Sequence, residues 1–459
     1  MLNKPTEAVI FYPPAPIPKV QRPSQWQLVK ALLSNPLAVL SQADFILPIQ
    51  TRRTILGKRV LINHPEGVRH VFLDNVSNYH KNALQLRLLK PALGDGLITA
   101  NGEQWRAQRR VLTPLFSAKQ LQVYMAAQHQ VVSNAEARLQ SKPEGSVIDI
   151  GLTMGQLTLE VLEHTLFTQG FGVQAGVFQQ AVTQYFATYG KLDVADLLGL
   201  PDYFPRLRTL RGQKVLQFLE RTVSQIVAAR QALINAQATV PQDMLTLLLT
   251  AKDEETGKLF NQTEVRDNIV TFIGAGHETT ASTLTWAFYL LSQSAEWRAK
   301  VEHEIDTQFN PDDPQGSLPI AKAVLEETMR LYPPVWLMSR VAKQNDLIDT
   351  QAITANTVVL VSPYVLHRNP AYWDNPQAFN PARFLGEARQ KVNKYAYLPF
   401  GTGPRMCIGM SFAMNEMLIV LARFLAVYRF DLKADCVVYP QGNLTLRPKN
   451  GLHMVMHQR

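Results

Sequence analysis

Ten residues near the C-terminus, Phe400 to Gly409 (FGTGPRMCIG), constrain this chain more than its length does. They fit F-x-x-G-x-R-x-C-x-G at all five residue types, an arrangement that chance places in a chain of this composition with a probability on the order of 10⁻⁵. Glycines at these positions let a backbone turn tightly against a flat ligand. Apolar residues at helical spacing follow from about 408 to 427, so Cys407 stands where a loop enters a helix. N–H groups at a helix start stabilise an anion and lower the pKa of a thiol held there.

The chain has only two cysteines, Cys407 and Cys436, which excludes a disulfide framework, a four-cysteine zinc site and an iron–sulfur cluster. A single thiolate with no second cysteine or histidine beside it suits one axial ligand of haem iron. With 46% hydrophobic and 18% charged residues the 459-residue chain is globular. Lys4, Glu7 and the prolines of FYPPAPIP interrupt the apolar stretch at the start, and no run approaches the roughly 18 apolar residues of a membrane span. A cytoplasmic protein without a signal peptide or a span is expected. The net charge of +9 is uneven, at about +6 over residues 1–60, about +4 over 81–110, about +6 from 391 onward and about −6 over 261–330. Separated basic segments attract an acidic partner, and the lack of interleaved aromatics argues against nucleic acid.

The texture predicts a mainly α protein with small β-sheets (α+β). TRRTILGKRVLI at 51–62 reads as a hairpin, and HPEGVRHVFLD opens a helix. Helical spacing dominates from 102 to 310, and its longest element, 261–292, spans about 48 Å and is apolar all round in its middle. After 335 come short β-favouring runs such as VVLVSPYVL, a proline-rich meander, the final helix, and strands that return to the body. One domain is expected, with an N-terminal arm and small sheet (1–63), a helical body (64–335), and a meander, cysteine loop, final helix and hairpin (336–459).

With its cysteine motif the chain resembles the cytochrome P-450 family of haem-thiolate monooxygenases, in its soluble bacterial-type single-domain form, over nearly its whole length. Glu327-Thr328-Met329-Arg330 matches E-x-x-R, is followed by LYPP, and stands 77 residues before Cys407. Helical spacing puts both charges on one face, and the resemblance adds Arg383 of FNPARF to an ion-pair network that locks the cysteine loop. AGHETT (Ala275–Thr280) puts an acid midway along an apolar helix, where an unpaired carboxylate is costly. The resemblance gives Glu278 and Thr279 the delivery of protons to bound dioxygen, with Ala275 and Gly276 leaving room for it. His277, without a partner at helical spacing, reads as a satisfied polar contact.

The resemblance further implies haem b between the long helix and the cysteine-loop helix, with Cys407 as axial thiolate and the only metal ligand, and O2 as co-substrate. Phe400 and Gly409 belong to its cradle, and Trp105, Arg109, Arg340, His367 and Arg405 are expected at the propionates, with His80 before Lys81 a further candidate. The family's substrate wall maps onto Leu84, Leu86, Leu88, Leu89, Phe186, Phe272, Ile273, Val335, Trp336, Leu337 and Met338. That apolar wall implies a fatty acid, terpenoid or steroid-like substrate. Arg52 and Arg53 are candidates for a carboxylate at a channel mouth. No G-x-G-x-x-G fingerprint is present, so electrons are expected from a ferredoxin or flavodoxin-type donor with its reductase, facing Arg106 and Arg110 of a monomer. A peroxide-driven peroxygenase and a non-catalytic haem-based sensor are the alternatives; the Glu278-Thr279 pair argues against the first, and the second needs no proton relay.

Overall fold

The computed structural model describes residues 10–21, 24–54, 57–168, 175–189, 195 and 207–459. The long apolar pattern becomes a helix, Gln262–Ser292. Asn261 begins it with a reciprocal cap: its side chain accepts from the Glu264 N–H, and the Glu264 carboxylate accepts from the Asn261 N–H. Thr279, Thr283 and Thr285 donate to carbonyls four residues back, which satisfies hydroxyls in an apolar interior. Helices Ala83–Leu93, Ile150–Leu166, Leu207–Asn235 and Pro319–Leu331 pack around this central helix. Every residue from Thr280 to Leu291 is buried, yet Gly274, Ala275, Gly276, Glu278 and Thr279 are only half-buried. The wall therefore opens at the one stretch that carries chemistry.

The final helix, Met410–Val427, is long and apolar enough to match a membrane span by composition, but 67% of it is buried inside the fold. It is a core helix, packed against Ala118–Gln140 and Ala295–Gln308.

A five-stranded sheet flanks the helices, in the order Ile49–Thr54, Gly57–Ile62, Val358–Val361, Met338–Ala342, Tyr79–Lys81. The first two strands are the expected hairpin, antiparallel with Arg52 opposite Arg59. VVLVSPYVL is only half strand: Ser362 accepts from the Val365 N–H and Pro363 starts a short helix, so the strand stops at Val361. The last pairing, Tyr79–Lys81 against Met338–Ala342, places Lys81 directly opposite Arg340. At the C-terminus, Pro440–Gly442 and Leu446–Pro448 form a hairpin.

Candidate active site

The cysteine loop is fixed by its backbone. Gly403 has φ +71°, and a Cβ there would stand 2.0 Å from the Phe72 carbonyl oxygen, so only glycine allows the loop to lie against residues 70–74. The Cys407 N–H donates to the Phe400 carbonyl at 2.9 Å, and the Arg109 guanidinium donates to the Met406 carbonyl at 3.0 Å. The cysteine side chain is accessible, but within a recess enclosed by protein, so burial dominates and raises its thiol. The Gly409 N–H and Arg109 oppose that rise and do not overcome it. The helix-start N–H thus acts in the expected direction but is outweighed by burial, and a bound metal cation deprotonates a thiol in such surroundings. A Cβ added at Gly409 would stand 3.7 Å from the Phe116 ring, which lies edge-on to Phe272 of the central helix with centroids 5.6 Å apart. Cysteine loop and central helix thus face one space.

The sheet brings cations into that neighbourhood. Lys81 and Arg340 are cross-strand partners, and like charges directly opposite one another are destabilising unless something neutralises them. Burial, then Arg405 and Arg340, lower Lys81 to about 6. Burial lowers Arg340 to about 10, and burial with Arg340 lowers Arg405 to about 10. Among the described residues no carboxylate acts on any of the three. The Arg405 guanidinium lies 4.3 Å over the Trp105 ring and donates to the Ala100 carbonyl at 2.9 Å; Arg340 lies over Phe72; the Lys81 ammonium donates to the Ile98 carbonyl. Three basic side chains gathered with no counter-charge among the described residues fit a ligand carrying two carboxylates, as haem does. Lys81 thus takes the place expected of its neighbour His80, whose imidazole is lowered by burial, Lys343 and Arg405.

His367 does not join them. It is fully buried; its Nε2 accepts from the Leu398 N–H at 2.8 Å, its ring lies beside Trp373 and Tyr397, and burial lowers it to about 3. The reason is the ion-pair network, which claims this residue: Arg330 donates to the Glu327 carboxylate at 2.6 and 2.8 Å and to the carbonyls of His367, Pro376 and Ala378. Arg383 stands 3.5 Å from Glu327, as expected. Arg106 and Arg110 are also placed differently from expectation, for Arg106 pairs with Glu103, and Arg110 with Asp253 and Glu255 at 3.0 Å each. Arg52 is taken by Asp44.

On the central helix Thr279 Oγ1 donates to the Ala275 carbonyl at 2.7 Å. Burial raises the Glu278 carboxyl, against the Thr445 hydroxyl and Arg447, whose Nη1 is 3.6 Å from Glu278 Oε1. His277 packs toward Gly155, and burial lowers it to about 4, in keeping with a satisfied neutral contact. Among the described residues no three His, Cys, Asp or Glu side chains cluster to hold a metal.

Beside Ile273 and Gly274 lies a small apolar cavity, lined among others by Leu93, Phe178, Val182, Tyr185 and Leu216. Among the described residues of the expected substrate wall, only Ile273 lines it. Phe272 instead meets Phe116, and Trp336 is 8% exposed, donating to the Asn443 carbonyl at 2.8 Å. Leu84, Leu86, Leu88 and Leu89 are half-buried on Ala83–Leu93, Leu337 and Met338 are half-buried, and Val335 is exposed. The Phe186 side chain lies outside the described residues.

The family model described as "Cytochrome P450" matches residues 53–455. Cyclooctat-9-en-7-ol 5-monooxygenase of Streptomyces melanosporofaciens is 32% identical over 405 residues, covering 87% of this chain and 86% of its own. An ultra-long-chain fatty acid omega-hydroxylase of Homo sapiens is 30% identical over 424 residues, covering 87% and 79%. A crystal structure of a cytochrome P450, CYP102L1, superposes with a TM-score of 0.83 at 26% identity, over 97% of this chain and 99% of the other. A cysteine loop facing an opened central helix, an E-x-x-R pair locked in the core and a match over residues 53–455 together mean that the chain belongs to the cytochrome P-450 family of monooxygenases.

Proposed function

We propose that this protein inserts one oxygen atom of O2 into a C–H bond of an apolar small molecule, a terpenoid, fatty acid or steroid-like compound, with haem b held by Cys407. The observation that carries this reading is the set of Lys81, Arg340 and Arg405, on none of which a carboxylate acts among the described residues, close to the one cysteine of the motif. Lys81, Arg340 and Arg405 would pair with the propionates, Arg109 would hold the loop through Met406, and Trp105 would carry Arg405 on its face. When bound, haem supplies oxygen activation, and a thiolate ligand favours O–O cleavage. The chain's own residues do the rest. Ile273 and the cavity beside it hold an apolar substrate by burial, at about 25 cal/mol per Å² removed from water. Glu278 holds and passes protons, and Thr279 orients them at its hydroxyl.

Electrons come from a ferredoxin or flavodoxin-type protein with its reductase, docking near the exposed Lys391 and Lys394, because Arg106 and Arg110 are already paired. The named monooxygenase and hydroxylase relatives support terpenoids and long-chain fatty acids as the first substrates to test. The test is turnover with such a donor under isotopically heavy dioxygen. One heavy oxygen in the hydroxylated product is expected; product formed only with added peroxide, or carrying oxygen from water, contradicts the reading.

A further inference from the structure

The C-terminal hairpin is bolted to the central helix at one residue. The Leu446 carbonyl accepts from Ser282 Oγ at 2.5 Å and from Trp286 Nε1 at 3.1 Å, and its N–H donates to the Pro334 carbonyl at 3.0 Å. The neighbours of Leu446 are therefore held over the helix turn that precedes Ser282, where Glu278 stands one turn earlier. Arg447 reaches Glu278 Oε1 at 3.6 Å, with 38% of its side chain exposed against 13% for Glu278. Thr445 is buried on the other side of the anchor, and its hydroxyl biases the carboxylate toward the charged form.

Two atoms remain. Glu278 Oε2 and Thr445 Oγ1 are both buried without a direct hydrogen-bond partner among the described residues, although Thr445 stands close enough to act on the carboxylate. Neighbouring polar atoms that do not bond directly are the setting for one bridging water. The central helix packs against Ala83–Leu93, Ile150–Leu166, Leu207–Asn235, Met244–Thr250, Ala295–Gln308, Pro319–Leu331, Met410–Val427, Tyr428–Leu432 and the hairpin, and among the described residues of these elements Arg447 is the one charged group that acts on Glu278; His277, next to it, turns toward Gly155.

We propose that Arg447 and Thr445 form the proton inlet of Glu278, Arg447 positioning the carboxylate through Oε1 and Thr445 presenting a water to Oε2, with solvent reached at the exposed edge of Arg447. This rests on the role given to Glu278 above. In each passage a proton from solvent moves through the water at Thr445 to Oε2, turning the carboxylate into a carboxylic acid, and then leaves toward the Thr279 hydroxyl as the carboxylate re-forms. The guanidinium keeps its protons throughout. The two electrons of the reaction come from the redox donor, and the inlet supplies protons alone.

The holoenzymes of Arg447→Gln, Arg447→Lys, Thr445→Val and Glu278→Gln are compared. Infrared difference spectra identify the protonated Glu278 carboxyl by its loss in Glu278→Gln. In Arg447→Gln that band titrates about one pH unit higher than in the wild type, because the cation favouring the carboxylate is gone, and Arg447→Lys returns it toward the wild-type midpoint. Thr445→Val keeps the haem spectrum but lowers product per electron by about twofold and enlarges the solvent isotope effect on product formation. If Glu278→Gln uncouples turnover while the titration in Arg447→Gln and the isotope effect in Thr445→Val both stay at wild-type values, the inlet is overturned alone. If Glu278→Gln itself leaves product per electron unchanged, the role of Glu278 falls and the inlet with it.

Discussion

Lys81 occupies a position that costs the haem-free protein stability. Its ammonium is lowered from 10.5 to about 6, so between those values the unfolded chain binds a proton that the folded chain does not. Stability therefore rises with pH across that window and is level below it. Urea unfolding of haem-free protein is expected to show greater stability at pH 9 than at pH 7. Lys81→Met should flatten that slope, stabilise the haem-free form at pH 7 by about 1 kcal/mol, and shorten the half-life of bound haem. A variant that holds haem as tightly as the wild type would remove Lys81 from the cradle. Thr279 makes the second case at this scale. Thr279→Ala loses only the bond to the Ala275 carbonyl, so the helix and substrate binding should persist while reducing equivalents divert to peroxide or water. Peroxide release per electron checks this, and unchanged coupling would take the hydroxyl out of proton delivery.

Among the elements, the E-x-x-R helix Pro319–Leu331 carries the clearest energetic prediction. Glu327 and Arg330 are wholly buried and paired, and Arg330 also ties three carbonyls of the segment 367–378. Glu327→Ala leaves an uncompensated buried guanidinium and should cost about 3–5 kcal/mol by chemical unfolding. His367 adds a pH dependence with a definite sign. Its folded value near 3 lies below the ordinary 6.5, so stability is complete above 6.5 and is lost as pH falls toward 3. A substitution that removes the imidazole, such as His367→Phe, should reduce that acid slope. This element also marks where sequence stops being informative. Three-residue helical spacing was enough to pair Glu327 with Arg330, because both charges lie on one helix face. His367 departs from its expected place because a buried imidazole near a cation-rich site looks the same in sequence whether it faces the cofactor or accepts a backbone N–H. Lys81 opposite Arg340 and Arg447 beside Glu278 were invisible for another reason: strand register and hairpin anchoring join residues about 260 and 170 apart, and no local pattern encodes that.

Over the whole molecule, excess positive charge is predicted to serve the electron donor. First electron transfer should slow as salt rises, since exposed charges are screened beyond about 8 Å at physiological ionic strength. Reversing Lys391 and Lys394 should slow it more than reversing Arg106 and Arg110, whose charges Glu103, Asp253 and Glu255 already offset. Stopped-flow reduction at low and high salt decides this, and rates indifferent to both would assign the charge to solubility. The expectations about turnover and electron transfer depend on one bond between the chain and its cofactor. The reduced carbon monoxide difference spectrum reports it directly, in wild type, Cys407→His and Cys436→Ser. The thiolate-type Soret position should appear in wild type and Cys436→Ser and vanish in Cys407→His. A thiolate-type spectrum that survives Cys407→His, or is lost in Cys436→Ser, would contradict the assignment of Cys407 and the cofactor site built around it.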